Sequence, residues 1–273
     1  GEDILSVQNG GRGTGIYILT AFGKRPCMLM GLGCNAAAIV GCRIIDSPRE
    51  RLIAILTNAF VPCNGRFPAL IAVIGMFFTY SAFASGALAG AVMLTALLIV
   101  SVAATLLCGR VLSRTLLRGE QSSFTLELPP FRMPRIGRLI VRSVVDRTLF
   151  VLGRAAAVAA PAGLLLYALS NISIGGQSIL AAAVDFLDPF ARVFGLDGAI
   201  LIAFMLGFPA NEIVLPIAIM AYTASGSLEE LPALCDMRAL LIANGWSIKT
   251  AVCFVLFSVM HWPCSTTLLT IKP

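Results

Sequence analysis

The chain alternates long apolar runs with short polar turns, and several of the runs are themselves interrupted. From Ile16 it turns apolar, pauses at Lys24-Arg25-Pro26 and continues over 27–45. That run is about 19 residues, just enough to span a hydrocarbon core of about 30 Å. In the charged turn Asp46-Ser47-Pro48-Arg49-Glu50-Arg51, Ser47 ahead of Pro48 predicts a helix N-cap with proline at the first position. The run 52–60 is too short to span before Pro62-Cys63-Asn64-Gly65-Arg66 interrupts it; it resumes over 67–83, which predicts one discontinuous helix or a re-entrant pair. A plain helix over 84–108 follows, with Gly86, Gly90 and Ala91 available for close packing. After a hydrophilic stretch, 149–169 reads as a fourth span with Arg154 near its start and Pro161 inside. The stretch 179–194, carrying Asp185, Asp188 and Pro189, reads as an interfacial helix. A fifth span is predicted over 199–224, broken near Pro209 and Pro216, and a last one over 248–271, broken at Pro263. The fold class is therefore all-α, a polytopic membrane helical bundle with discontinuous helices.

Four breaks share a character. Gly31-Leu32-Gly33-Cys34-Asn35, Pro62-Cys63-Asn64-Gly65-Arg66, Gly207-Phe208-Pro209-Ala210-Asn211-Glu212 and His261-Trp262-Pro263-Cys264 each put a thiol, amide or carboxylate beside a helix breaker inside an apolar run. In lipid, irregular backbone survives only where it is buried in protein or lines a cavity, so repeated breaks point to a path for a solute or ion. The breaks also echo one another: 31–35 is followed by a helix broken at Pro62-Cys63, and 207–212 by one broken at Pro263-Cys264. Paired broken helices are the sequence mark of an internal repeat enclosing a midplane site.

Composition supports the membrane reading. Of 273 residues, 58% are hydrophobic and 12% charged, with mean hydropathy +0.90, far from the balance of an ordinary soluble domain. The net charge of +6 matters less than its placement. Eight arginines lie between Arg110 and Arg147 against Glu120, Glu127 and Asp146, which marks 109–147 as a cytoplasmic loop. Arg135, Arg138, Arg142 and Arg147 recur at near-helical spacing, predicting a basic amphipathic helix on the lipid surface. No aromatic interleaving or binding module accompanies the charge, which argues against nucleic acid as a partner. The organisation that follows is 1–108, the first part of a core membrane domain; 109–147, the basic loop; and 148–273, a second membrane unit. The start at Gly1-Glu2-Asp3 shows no secretory leader and reads as a piece of a longer protein.

The candidate chemistry sits at the breaks. Eight cysteines occur without a Cys-x-x-Cys, mostly in apolar runs, and read as reduced thiols. Cys27, Cys42, Cys108, Cys235 and Cys253 read as packing residues, whereas Cys34, Cys63 and Cys264 each adjoin a break. An internal proline frees the carbonyl four residues earlier, so Pro62, Pro209, Pro216 and Pro263 release those of Asn58, Met205, Glu212 and Val259. Thiols beside free carbonyls suit a borderline divalent metal such as Fe(II) or Zn(II), held weakly enough to leave again. Glu212, ionisable within an apolar run, is a functional candidate, or else an ion-pair partner for Arg154 or Arg66. Asn35, Asn64 and Asn211 can line a path or bridge open backbone. His261, the single histidine, reads as an end-of-helix residue. Gly23-Lys24 has Ile18 where a phosphate-binding loop needs its first glycine, so no GTP site is expected, and no catalytic constellation points to an enzyme.

As a set, these motifs resemble the membrane region of FeoB-type ferrous iron transporters. The likeness rests on Gly31-Leu32-Gly33-Cys34-Asn35, Arg43-Ile44-Ile45 with Arg49-Glu50-Arg51, and Pro62-Cys63-Asn64-Gly65-Arg66-Phe67-Pro68. It continues through Leu126-Glu127-Leu128-Pro129-Pro130-Phe131-Arg132-Met133-Pro134, Gly207-Phe208-Pro209-Ala210-Asn211-Glu212 and Trp262-Pro263-Cys264-Ser265-Thr266-Thr267. The resemblance implies a core membrane domain plus the second of two gate-type repeats, Fe(II) as the transported ion, and residence in the inner membrane of a bacterium. It implies Cys34 and Cys63, and more weakly Cys264, as path residues; Asn35, Asn64, Asn211 and Glu212 join them as metal-site candidates from the reading of the breaks above. A separate GTP-binding domain or subunit, membrane lipid and further copies of the chain are the implied partners. The family's GTP-binding domain and first gate repeat have no counterpart here, and Ala36-Ala37 stands where many members have Val-Pro. Two other functions fit the same residues: a nucleoside or organic-solute permease using Asn211 and Glu212, and a non-transporting scaffold whose basic loop docks a partner or anionic lipid.

Overall fold

The computed structural model describes residues 28–45, 47–79, 86–115, 149–174, 176–223 and 234–271, and positions 137 and 141. The glycine-rich leader, Cys27, nearly all of the basic surface helix and the acidic pair Glu229 and Glu230 lie outside the described residues. The fold is a bundle of helices: α1 Asn35–Gly41, α2 Pro48–Thr57, α3 Phe67–Ile74, α4 Gly86–Arg114, α5 Phe150–Asn171, α6 Ile179–Val193, α7 Gly198–Leu206, α8 Val214–Thr223, α9 Leu234–Ala243, α10 Ile248–Met260 and α11 Ser265–Ile271. A two-residue hairpin, β1 Ser173–Ile174 with β2 Gln177–Ser178, is the one sheet among the described residues.

Three helices are long and apolar enough to cross a membrane: 88–114, 152–171, and 248–271 taken through its break. The longest, α4, would reach about 43 Å at 1.5 Å per residue. It runs to Arg114, past Cys108, because the arginines of its last turns can lie along an apolar stem with their charge in the interface.

Of the two arrangements the sequence allows for 52–83, the chain adopts the discontinuous span. Ser47 caps α2 through Glu50 N, as the Ser-Pro pair predicts. Arg49 donates to the Ser113 carbonyl at 3.1 Å, Ile53 and Thr57 lie beside Gly109, and Ser101 Oγ donates to the Phe60 carbonyl at 2.6 Å. α2 and its continuation therefore run antiparallel along α4, and the break at 61–66 comes level with the middle of that helix. Arg49, Arg51, Arg110 and Arg114 gather at one end, the basic end, from which the arginine-rich loop departs.

The predicted through-span over 199–224 is a hairpin instead. Asp197 caps α7, and its carboxylate accepts the hydroxyl of Tyr222 near the end of α8, so the two ends of the segment are neighbours. Nine-residue α7 covers about 14 Å, half a bilayer, before the Pro209 break turns the chain back. Apolar length could not separate these arrangements; one carboxylate at residue 197 does.

Helix α6 ends in a Schellman turn: Leu196 N donates to the Ala191 carbonyl and Gly195 N to that of Arg192, with Gly195 at φ 72°. Trp246, Gly245 (φ 88°), Leu241 and Ile242 repeat the same turn ahead of α10. Each turn is followed by a capping residue, Asp197 or Ser247, which starts the next helix. The first bends the chain by 104° between α6 and α7.

The interior joins α3, α7, α8 and α10 around Phe204, whose ring centroid lies 5.2 Å from that of Phe254 and 4.8 Å from that of Phe257. Ala203, Ala218 and Ala251 are fully buried, as close helix approach in lipid requires. Cys42 is buried and Cys253 packs against this core, as read from the sequence; Cys235 is exposed. α5 keeps Leu152, Leu164, Leu165 and Tyr167 on the outside.

Candidate functional site

The four breaks meet. In the first, Cys34 is extended (φ −151°, ψ 123°) between the helical turn at 28–33 and α1. In the third, Ala210 takes nearly the same conformation (φ −149°, ψ 120°) ahead of Asn211. The motifs Gly31…Asn35 and Gly207…Asn211 are thus structural equivalents, as their sequences suggest.

The first and third breaks are each tied to the span break that follows them. Asn64 N donates to the Gly33 carbonyl at 3.2 Å, and Ser265 N to that of Phe208 at 2.9 Å. Asn64 follows Pro62-Cys63 as Ser265 follows Pro263-Cys264. The two units are then joined to each other. Asn211 Nδ2 donates to Cys63 Sγ at 3.8 Å across 148 residues, and a Cβ on Gly65 would touch Cys63 Sγ, Asn211 Cβ and Glu212 N, each at 4.0 Å. α1 packs on α11.

The units run in opposite senses. Phe77, beyond α3, stacks on Trp246, just before α10, at 5.8 Å, so the two broken spans are antiparallel. From its break α1 leads toward the basic end, where Arg51 Nε donates to the Ile45 carbonyl; α8 leads away from it, to Tyr222 and Trp246. This is an inverted repeat with all its interruptions at one depth.

Arg66 is the keystone that the sequence reading missed. Only 1% exposed, it donates through Nη1 to the carbonyls of Ala59 (3.1 Å) and Val259 (3.0 Å) and through Nη2 to those of His261 (3.4 Å) and Trp262 (3.1 Å). Cys63 and Cys264 lie within its electrostatic reach. The signal was available: an arginine inside an apolar run has to find acceptors there. Its Nη1 and Nη2 donors are directed to carbonyls, so the alternative of an Arg66–Glu212 ion pair is not the one adopted.

Three of the four freed carbonyls are spoken for, which corrects the expectation that these stay open to a metal. Val259 O accepts Arg66, Asn58 O accepts Val61 N at 3.1 Å, and Met205 O accepts Phe208 N at 3.4 Å. Asn35, buried, bridges backbone when its amide is oriented with the nitrogen toward the acceptors that face it: the Gly31 and Val61 carbonyls then lie 3.1 and 3.3 Å from it. His261 is likewise a packing residue, with Nδ1 2.8 Å from the Ser258 carbonyl and its ring against Phe204. Cys63 is buried, Cys264 is half-buried with Sγ 3.2 Å from Thr267 Oγ1, and Cys34, Asn64 and Glu212 are exposed. Among the described residues no three His, Cys, Asp or Glu side chains stand together as a closed metal cage.

Residues 94–147 match the family model described as "Ferrous iron transport protein B C terminus", and residues 152–273 the one described as "Nucleoside recognition". The chain is 28% identical over 213 residues to the "Fe(2+) transporter FeoB" of Salmonella typhimurium and 27% identical to that of Escherichia coli K12. This is an FeoB-type C-terminal membrane region. Each alignment covers 74% of the chain and 26% of the relative, so the FeoB-type region spans about a quarter of the length of the curated relatives it matches. No solved structure matches it.

The glycines of the first break give a local test of this region. A Cβ on Gly31 would come within 2.7 Å of Asn58 Oδ1 and 3.2 Å of Val61 Cγ1, whereas one on Gly33 would meet open space. Gly31→Ala is expected to lower thermal stability in detergent by roughly 1–3 kcal/mol and Gly33→Ala to leave it unchanged. Equal melting of the two variants would contradict the packing described.

Proposed function

We propose that this chain is the permease part of a ferrous iron transporter in the cytoplasmic membrane of a bacterium, with the ion crossing where the four breaks meet. The carrying observation is the Cys63–Asn211 contact, which brings thiol and amide from the two inverted units together at the depth of the breaks. Cys63, Cys264 and Asn211 form the inner part of the path. Cys34, Asn64 and Glu212, exposed at the same breaks, form its approaches, and Asn35 shapes the first turn. Thiol and amide donors without a closed cage suit a thiophilic divalent ion that must bind and leave. The names of the relatives in Salmonella and Escherichia coli support iron as cargo. The three units read from the sequence, 1–108, 109–147 and 148–273, carry over as core, cytoplasmic loop and gate, with lipid around them and a GTP-binding domain or subunit as the driving partner.

Purified protein in liposomes is expected to take up Fe(II). Cys63→Ser should reduce uptake at least about ten-fold, since losing even an outer-shell partner of a metal commonly costs that much. Cys235→Ser, exposed on α9 and remote from the breaks, should not. Uptake unchanged by Cys63→Ser would remove the thiol path. Thermal stabilisation by nucleosides, with no Fe(II) uptake, would favour the organic-solute reading that the description matched over 152–273 suggests.

A further inference from the structure

We propose that Arg66 is the positioning residue of this path: it pins the two antiparallel broken spans to each other at their breaks and thereby holds Cys63 and Cys264 at one site. The inference rests on the transport reading above for its consequence, and on geometry for the pin itself. Arg66 heads the largest side chains that are fully buried. One of its four acceptors, Ala59, lies in its own span just before the break. The other three, Val259, His261 and Trp262, lie 193 to 196 residues away, around the break of the opposed span. Val259 lies in the last turn of α10, and its carbonyl has no intrahelical partner because the chain turns extended at His261 and residue 263 is a proline without an N–H.

Each thiol is tied to the pin by a short fixed length of chain within its own break: Cys63 precedes Arg66 by three residues, and Cys264 follows Trp262 across Pro263. A planar guanidinium with two forked ends can serve four carbonyls of two strands at once; the ammonium of lysine, a point donor on a flexible stem, cannot. The arrangement also acts on selectivity. The oxygens of 59, 259, 261 and 262 are of the kind that Mg²⁺ or Ca²⁺ would seek, and a resident cation already occupies them. Sulfur and amide are left for the cargo.

The test is a double-mutant cycle of Arg66→Lys and Pro263→Ala, read by Fe(II) uptake in liposomes and by thermal unfolding in detergent. Alanine at 263 restores an N–H able to take the Val259 carbonyl back into the helix, withdrawing one acceptor from Arg66. Arg66→Lys should raise the half-saturating Fe(II) concentration by about 10- to 100-fold, the range for a lost outer-shell partner, with a smaller change in maximal rate. Pro263→Ala should act in the same direction, and the double variant should be no worse than Arg66→Lys alone, since both act through one contact. Additive effects in either measurement, or wild-type half-saturation in Arg66→Lys, would overturn the proposal. If Arg66→Lys does not fold, Pro263→Ala alone decides it: a raised half-saturation supports the pin and an unchanged one refutes it. If the wild type takes up no Fe(II), the iron reading fails, while the unfolding cycle still decides whether Arg66 joins the spans.

Discussion

Gly198→Ala is expected to unfold the second unit under conditions where the wild type is intact. Gly198 opens α7 where it crosses α6 at 104°, and its amide donates to Asp188 Oδ1 at 3.1 Å. A Cβ there would run into the Val184 carbonyl oxygen and lie 3.0 Å from Asp188 N and from the Val184 carbonyl carbon. These are backbone atoms inside a helix, so no rotamer change can relieve the contact; α6 must unwind or the crossing must open. Overpacking typically costs roughly 1–3 kcal/mol, and backbone against backbone belongs at the top of that range or above it. Gly163, on the outward-facing α5, has nothing within 4 Å of a Cβ. Alanine there should leave stability unchanged or raise it by up to roughly 1 kcal/mol through helix propensity. Thermal unfolding of the two variants in detergent checks the contrast, and a Gly198→Ala protein melting with the wild type would refute the crossing.

That crossing bears on what a membrane sequence can and cannot disclose. The breaks were legible because proline and glycine act locally: Pro62, Pro209 and Pro263 each interrupt the helix where the missing N–H requires it. The Ser47 cap and the carbonyl freed at Val259 were legible for the same reason. Path direction was not. Apolar length alone makes 199–224 a span, and the residue that folds it back, Asp197, acts on Tyr222 twenty-five positions away. The Gly195-Leu196-Asp197 and Gly245-Trp246-Ser247 turns carry a usable signal, a left-handed glycine followed by a buried apolar residue and a cap, and they mark where each inward-running helix begins. At the site, the equivalence of 31–35 with 207–211 could be read from the motifs. The destination of Arg66 could not, because three of its four acceptors are backbone oxygens nearly 200 residues away and backbone has no sequence signature.

The inverted arrangement gives the first and third breaks different supports. The first is anchored near the basic end by Arg51 on Ile45. The second depends, at its open end, on three side chains: Asp197, Tyr222 and Trp246, whose Nε1 donates to the Tyr222 oxygen at 2.7 Å. Because Asn211 sits at the tip of that hairpin and touches Cys63, anything that frees the open end also loosens the contact that carries the proposed path.

Asp197→Ala is therefore expected to reduce both stability and iron handling. The substitution removes the cap on Ile200 N, made at 2.7 Å, and the acceptor of the Tyr222 hydroxyl. A lost N-cap is worth about 1 kcal/mol and an unsatisfied buried hydroxyl about 1–3, so the variant should lose about 2–4 kcal/mol. Tyr222→Phe keeps the cap but strands the indole N–H of Trp246, and should lose about 1–2 kcal/mol. Since both substitutions cut one chain of hydrogen bonds, the double variant should fall short of their sum. Amide hydrogen exchange locates the effect: Asp197→Ala should speed exchange in α7 and α8 and leave α4 as it is, because α4 holds the first broken span independently through Ser101 and Gly109. Exchange that rises equally in α4 would mean global loosening, and exchange unchanged in α7 and α8 would mean the hairpin is held by packing alone. In liposomes the same variant should need more Fe(II) for half-maximal uptake, because the amide that faces Cys63 would no longer be held in place.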